Sequence, residues 1–377
     1  MNAPFLPYGR HWVADEDINA VNDVLRGDWL TTGPAVDALE AELEKVAGAP
    51  AVTVSSGTAA LHAAYGGLGL GPGDEVITTP MTFIATASAA AMLGAKVHFA
   101  DISEDTANID PGAVDALLSP RTAVVAGVDY AGHPIDADAL LPLCDKVGAL
   151  LVEDAAHSIG GTYKGRPVGS LADITTFSFF PTKNLTSGEG GAVVSPHADV
   201  LKEIRRFARI GRLADASEHR HQDEGPWWYE MPTFGINYRL PDILCALGLS
   251  QLQRLSSFVT RRSELVARYH ELLADVPGLR LPTQRPEVDP AWHLFSVRVQ
   301  GGRRKEVFEA MRAAGIGVQV NYIPVYWHPV FEDSGYQRGL CPVAEQYYAE
   351  QLSLPLFAAM TNADQDRVVE TLRKILG

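Results

Sequence analysis

Ala51-Val52-Thr53-Val54-Ser55-Ser56-Gly57-Thr58-Ala59-Ala60-Leu61, followed by an Ala- and Gly-rich stretch and then Glu75-Val76-Ile77-Thr78, is the segment that decides the fold. A short β-branched run leads into a helix opened by Ser, Gly and Thr, and a second β-branched run returns, which reads as a βαβ unit. Gly66 to Gly73 holds five glycines, but they follow the helix rather than link a strand to it. They read as a helix stop and turn, which leaves a nicotinamide-dehydrogenase reading weak. The same rhythm continues through residues 97–101, 123–128, 150–153, 174–179 and 191–195, with helical stretches between, and predicts a mostly parallel sheet. These runs are continuously apolar, as expected of strands covered by helices on both faces. Ligands then collect at the carboxyl ends of the strands.

Working outward, Ile18, Val21 and Leu25, and then Val36, Leu39, Leu43 and Val46, recur at helical spacing and predict two amphipathic helices flanking residues 27–33. Residues 240–274 read as a long helical region that ends in a stretch broken by Pro277, Pro282, Pro286 and Pro290. Beyond it, 293–299 and 316–322 read as strands and 305–314, 343–351 and 364–376 as helices, which is a compact α+β cap. A chain of 377 residues exceeds what one core supports, so two domains are expected, 1–253 with its N-terminal arm and 254–377.

The composition, 46% hydrophobic and 20% charged, is that of a globular protein and excludes a disordered or fibrous one. A net charge of −15 repels phosphate backbones and anionic lipid, so neither nucleic acid nor membrane is an expected partner. A phosphorylated ligand must then be gripped locally, by backbone N–H groups or a few placed side chains. Cys144, Cys245 and Cys341 match no metal or disulfide spacing, which suits a reducing cytoplasm. The first residues, from Met1-Asn2-Ala3-Pro4 to Tyr8, show no basic-then-apolar leader, and no apolar stretch is long enough to span a membrane.

Four signals carry chemistry. Ser55 to Leu61 places free N–H groups and hydroxyls at a helix start, suited to a phosphate and equally to a plain cap. Glu153-Asp154-Ala155-Ala156-His157 puts a carboxylate at the end of an apolar strand, where it needs a cation such as a protonated cofactor ring nitrogen, unless it is a helix cap beside a core histidine. Ser178-Phe179-Phe180-Pro181-Thr182-Lys183-Asn184 sets a lysine just past a strand, a candidate Schiff-base residue or a surface lysine. Phe83 supplies an aromatic ring after another strand. Together these match the parts that hold pyridoxal phosphate.

On these segments, with Pro80-Met81-Thr82-Phe83, Gly188 to Gly191 and Gly235-Ile236-Asn237-Tyr238-Arg239-Leu240, the chain resembles the DegT-type sugar aminotransferases over almost its whole length. The resemblance implies an α/β fold type I PLP-dependent transferase, with a three-layer αβα large domain, a mostly parallel sheet and a small α+β C-terminal domain. It implies that Lys183 carries pyridoxal 5'-phosphate and then shuttles the proton, that Asp154 holds the pyridine nitrogen and that His157 sits near the ring hydroxyl. Phe83 would stack on the ring, Gly57, Thr58 and Ser178 would bind the phosphate, and Asn237 would reach it from the partner subunit of a homodimer. Some relatives are dehydratases in which histidine replaces this lysine, so Lys183 argues for transamination.

Leu6 to Arg10, Trp29 to Pro34, Gly225-Pro226-Trp227-Trp228-Tyr229-Glu230 and residues 317–324 are most similar to the aminotransferases of pseudaminic acid biosynthesis. Those act on a UDP-linked 4-keto-6-deoxy-N-acetylhexosamine with L-glutamate as donor. Phe180 and Asn321 depart from the histidines that many of them carry. Trp227, Trp228, Tyr322, Trp327 and His328 are candidate walls for the sugar nucleotide, with interface or core packing as the competing account. His219, His221 and Asp223 lie in a polar stretch and read as a mobile loop, with no metal expected. A 3-keto sugar or cyclitol aminotransferase, and a non-catalytic relative of the same fold, are the alternatives.

Overall fold

A computed structural model describes residues 4–221 and 223–377; Met1, Asn2 and Ala3, part of the stretch read as lacking a leader, lie outside it. Thirteen strands follow in chain order: β1 Ala51–Val54, β2 Glu75–Thr78, β3 Lys96–Phe99, β4 Thr122–Val128, β5 Leu150–Asp154, β6 Thr162–Tyr163, β7 Arg166–Pro167, β8 Ile174–Ser178, β9 Gly191–Val194, β10 Leu279–Arg280, β11 Val288–Asp289, β12 Phe295–Val299 and β13 Gln351–Leu354. Seven of them form one sheet in the order β1-β9-β8-β5-β4-β2-β3. Only β9 runs against its neighbours, pairing antiparallel with both β1 and β8, so the sheet is mostly parallel as expected.

Helices cover both faces. Ala60, Ala63, Ala64 and Tyr65 of helix Gly57–Gly67 pack one side with Ile204 of helix Ala198–Ala208. Leu39 and Leu43 of helix Pro34–Ala47 pack the other with Leu140 and Cys245. Each fully buried leucine contributes about 1.5–3 kcal/mol. A third core belongs to the C-terminal part: Tyr269 and Leu273 on helix Leu255–Leu273, Phe295 and Val297 on β12, and Val368 and Leu372 on helix Asn362–Leu376. Leu6 of the N-terminal arm is buried in that third core, bridged to Ile316.

Three expectations need correction. Helix Asp15–Arg26 forms, but its apolar stripe faces outward: Ile18 and Leu25 are exposed, and Asp17 is the buried residue. Asp17 wins because Ser250 Oγ (2.7 Å) and Gln251 Nε2 (2.7 Å) donate to it and the Arg254 guanidinium pairs with it. Residues 316–322 do not form a strand; Ile316 and Gln319 make single bridges to Leu6 and Ser353. The third strand of the small sheet is instead β13, which begins at Gln351, the last residue of the predicted helix 343–351. The long helical region breaks at Arg254 into Asp242–Gln253 and Leu255–Leu273.

Candidate active site

A cavity of about 900 Å³ opens at the carboxyl ends of β1, β5 and β8, closed on one side by residues 319–323 and Tyr8 of the arm. Gly57, Thr58, Phe83, Asp154, His157, Ser178, Lys183 and Tyr322, each singled out from the sequence, all line it.

The start of helix Gly57–Gly67 forms one end. Ser56 Oγ accepts from the Ala59 N–H (3.0 Å), which caps the helix and leaves the Gly57 and Thr58 N–H groups at the cavity. A Cβ on Gly57 would lie 2.7 Å from Ser178 Cβ and 2.9 Å from Ser178 Oγ, so glycine lets the backbone approach that hydroxyl. Backbone N–H groups, a helix start and a serine hydroxyl make an anion cradle.

Asp154, the last residue of β5, is buried. Thr86 Oγ1 donates to its Oδ2 (2.6 Å) and the Ala156 N–H to its Oδ1 (3.2 Å). Burial raises its pKa, partly offset by these two bonds and by the Lys183 charge. Two donors fix the carboxyl without neutralising it, so a cationic ring nitrogen is its natural complement.

Lys183 sits in the loop after β8, held by its N–H to the Phe180 carbonyl (2.9 Å). Burial lowers its amine pKa to about 8, against the opposing pull of Asp154. A lysine so placed keeps an appreciable fraction of free amine near neutrality.

His157 is buried, and burial and then Lys183 hold it well below the ordinary histidine range. Its Nε2 meets the Tyr322 hydroxyl at 3.0 Å, while its Nδ1 has no partner. The Phe83 ring is exposed to the cavity and touches Tyr322 edge-on, with centroids 6.3 Å apart. An anion cradle, a fixed carboxyl, a depressed lysine and an open aromatic face fit pyridoxal phosphate in its chemistry.

Other expected residues lie elsewhere on the chain. Trp227 is 76% exposed, and Trp228 Nε1 donates to Glu230 Oε1 (3.0 Å). His328 begins the short helix Pro329–Glu332, and the neighbouring Trp327 packs edge-on against Tyr348. Asn237 is exposed and bridged to Arg209. Phe180 and Asn321, the two departures from the pseudaminic-type pattern, do line the cavity. Sequence reasoning missed His293, Gln319 and Glu189 in the lining. His293 precedes β12 in a stretch that read only as a strand. Among the described residues no three His, Cys, Asp or Glu side chains converge as a metal site, and no helix is long and apolar enough to cross a membrane.

Residues 12–373 match the model of the DegT/DnrJ/EryC1/StrS aminotransferase family. The spore coat polysaccharide biosynthesis protein SpsC of Bacillus subtilis is 40% identical over 99% of this chain and 97% of its own. The structure of PseC from Helicobacter pylori, an aminotransferase involved in the biosynthesis of pseudoaminic acid, superposes with a TM-score of 0.92 at 28% identity, covering 99% of both chains. Spr1654 from Streptococcus pneumoniae, solved in a PLP form, gives 0.91 at 30% identity over 100% of this chain and 98% of that one. The chain therefore belongs to the DegT/DnrJ/EryC1/StrS aminotransferase family and is a pyridoxal phosphate-dependent sugar aminotransferase.

Proposed function

We propose that the enzyme moves an amino group from L-glutamate to the 4-keto carbon of a nucleotide-linked 4-keto-6-deoxyhexose, a UDP-N-acetylhexosamine derivative. The observation that carries this reading is the cavity: one depressed lysine, one buried carboxyl and one anion cradle share about 900 Å³, space for a cofactor and a sugar beside it. Likeness to PseC and SpsC, both named for carbohydrate biosynthesis, favours a nucleotide sugar.

When bound, pyridoxal phosphate supplies the carbonyl that accepts the amino group and the ring that draws electrons from the carbon losing a proton. Gly57 and Thr58 N–H groups and Ser178 Oγ hold its phosphate, Asp154 its ring nitrogen, His157 its ring hydroxyl, and Phe83 covers one face. Lys183 anchors it and, once displaced, carries a proton on Nζ between donor carbon and cofactor, then back for the acceptor. Asn237 completes the phosphate site from the partner of a homodimer, a reading supported by its exposure away from its own cavity. Exposed Trp12, Ile18, Leu25, Trp29 and Leu30 give that dimer an apolar face. Trp227, Trp228, Tyr322 and His328 form the sugar-nucleotide walls. Three free buried thiols suit a reducing cytoplasm.

The test is the visible spectrum of the protein with pyridoxal phosphate, before and after L-glutamate alone. Conversion of the yellow band to the shorter-wavelength pyridoxamine form is expected, followed by its return on adding the 4-keto sugar nucleotide. A band unmoved by glutamate refutes the donor. Amination at carbon 3, read by NMR of the product, refutes the acceptor position.

A further inference from the structure

His293 has no part in the scheme above, yet it lies in the same cavity and packs on a residue that has one. It is 5% exposed and lines the cavity. Its ring lies against that of His157 with centroids 4.4 Å apart and planes 34° from parallel. His157 also lies nearly parallel to the Tyr322 ring, 6.0 Å away between centroids, and its Nε2 bonds the Tyr322 hydroxyl. Nδ1 of His293, like Nδ1 of His157, is buried without a hydrogen-bond partner. The contact between the two histidines is therefore ring on ring.

The backbone carrying His293 is pinned from three directions. Its N–H donates to the Ala131 carbonyl (2.8 Å), and the Ala291 N–H to that of Gly132 (3.2 Å). Asn184 Nδ2 donates to the Ala291 carbonyl (2.8 Å) and to that of His157 (3.3 Å), so one amide ties the two segments together. Arg262, 2% exposed, spreads Nη1 over the carbonyls of Trp292 (3.3 Å), His293 (3.2 Å) and Leu356 (3.1 Å), and no carboxylate among the described residues pairs with it. Burying an unpaired guanidinium is costly, and here the return is a fixed backbone. Trp292 and Ala131 hold φ of 32° and 59°, conformations that side chains resist and that surrounding structure must impose.

We propose that His293 is a positioning residue: it clamps the His157 ring against Tyr322, and Arg262, Asn184 and the Ala131 and Gly132 carbonyls hold it in place. This rests on the reading that His157 faces the cofactor. The charged groups acting on the pair are Lys183 from the loop after β8 and Arg262 from helix Leu255–Leu273; Asp154 at the end of β5 and the Tyr322 hydroxyl line the same cavity. Burial and then His157, Lys183 and Arg262 all oppose a proton on His293; burial and Lys183 oppose one on His157. Clamped together, both rings stay neutral and bring no change of charge beside the cofactor.

The test begins with apoprotein labelled with [13C]histidine, the two resonances being assigned by their loss in His157→Gln and His293→Phe. Both stay flat from about pH 5.5 to 8, and a midpoint near the ordinary value of about 6.5 in either overturns the proposal. In the cofactor-loaded enzyme, His293→Ala shifts the pH midpoint of the cofactor absorbance by about one unit and lowers kcat about tenfold, with KM for L-glutamate little changed. His293→Phe, which restores a ring, returns both towards wild type. Equal damage by the two substitutions overturns the clamp, since the ring nitrogens would then be the active feature, and so does a silent His293→Ala. Should His293→Ala melt early, the apoprotein titration decides. Failure of wild-type protein to bind pyridoxal phosphate refutes the cofactor reading and leaves the titration standing.

Discussion

Lys183 gives the sharpest quantitative expectation. Its amine pKa is about 8, against 10.5 unperturbed. At pH 7 about one amine in ten is then free, compared with about three in ten thousand for an ordinary lysine, a gain of roughly 300-fold in the reactive form. The rate at which apoprotein captures pyridoxal phosphate, followed by absorbance from pH 6 to 10, is expected to rise with a midpoint near 8. Asp154 is the one group that pulls this pKa upward, so Asp154→Asn lowers the midpoint while weakening cofactor retention. The stability consequence has the opposite sign from the usual ion pair. The folded chain disfavours the ammonium, so the cost is full below about pH 8, shrinks between 8 and 10.5 and vanishes above. Lys183→Met is therefore expected to raise the apoprotein Tm at pH 7 by about 2–4 °C and to leave it unchanged near pH 11. A capture midpoint at 10 or higher, or one that climbs in Asp154→Asn, refutes the reasoning.

Gly57→Ala puts a methyl 2.7 Å from Ser178 Cβ, and the cradle must open; cofactor affinity is expected to fall about 10- to 100-fold by equilibrium titration, about 1.4–2.7 kcal/mol, with the melting curve little changed. Glu153, wholly buried in hydrogen-bond contact with the Asp129 carboxyl, has its pKa raised to about 7 by burial, and Asp129 is raised as well. An acid raised in the fold stabilises below its unfolded pKa and loses that contribution as pH climbs through the folded one, so Tm is expected to fall between pH 5 and 8, and Glu153→Gln to flatten that slope. Lys183→Ala and Asn237→Ala are each expected to be inactive, and mixing them under subunit exchange to restore up to a quarter of wild-type sites, on the order of statistical pairing, when assayed by glutamate half-reaction; no recovery refutes the shared site.

The large domain was legible because its elements are specified locally. β1 and β5 are short runs of aliphatic residues, Ala51-Val52 and Val54 in one and Leu150-Leu151-Val152 in the other, and helix Gly57–Gly67 is alanine-rich, so period and length agree. Helix Asp15–Arg26 was legible as a helix and illegible in its orientation. Periodicity reports which residues share a face, and only the distant Ser250, Gln251 and Arg254 decide that the face holding Asp17 turns inward. The small sheet failed for a related reason. Residues 316–322 have the composition of a strand, but Gln351–Leu354 takes the place beside β12 with a four-residue register, leaving Ile316 and Gln319 a single bridge each.

The site divides along the same line. Residues whose chemistry follows from a strand end and the next turn, such as Gly57, Asp154 and Lys183, announce themselves by residue type at a predictable place. His293 does not, because its place is fixed by Ala131 at positive φ, Asn184 and Arg262, none adjacent to it in sequence. The buried Arg262 makes the point in energetic terms. A guanidinium with no carboxylate is stable in the interior only where carbonyls already converge, and three such carbonyls come from two segments far apart in sequence, 292–293 and 356. Where a side chain is held by backbone groups of distant segments, residue type carries no trace of the partner. That is why the cofactor end of this cavity reads out of the chain, and why the part of its wall supplied by His293 and Gln319 emerges only once the chain is folded.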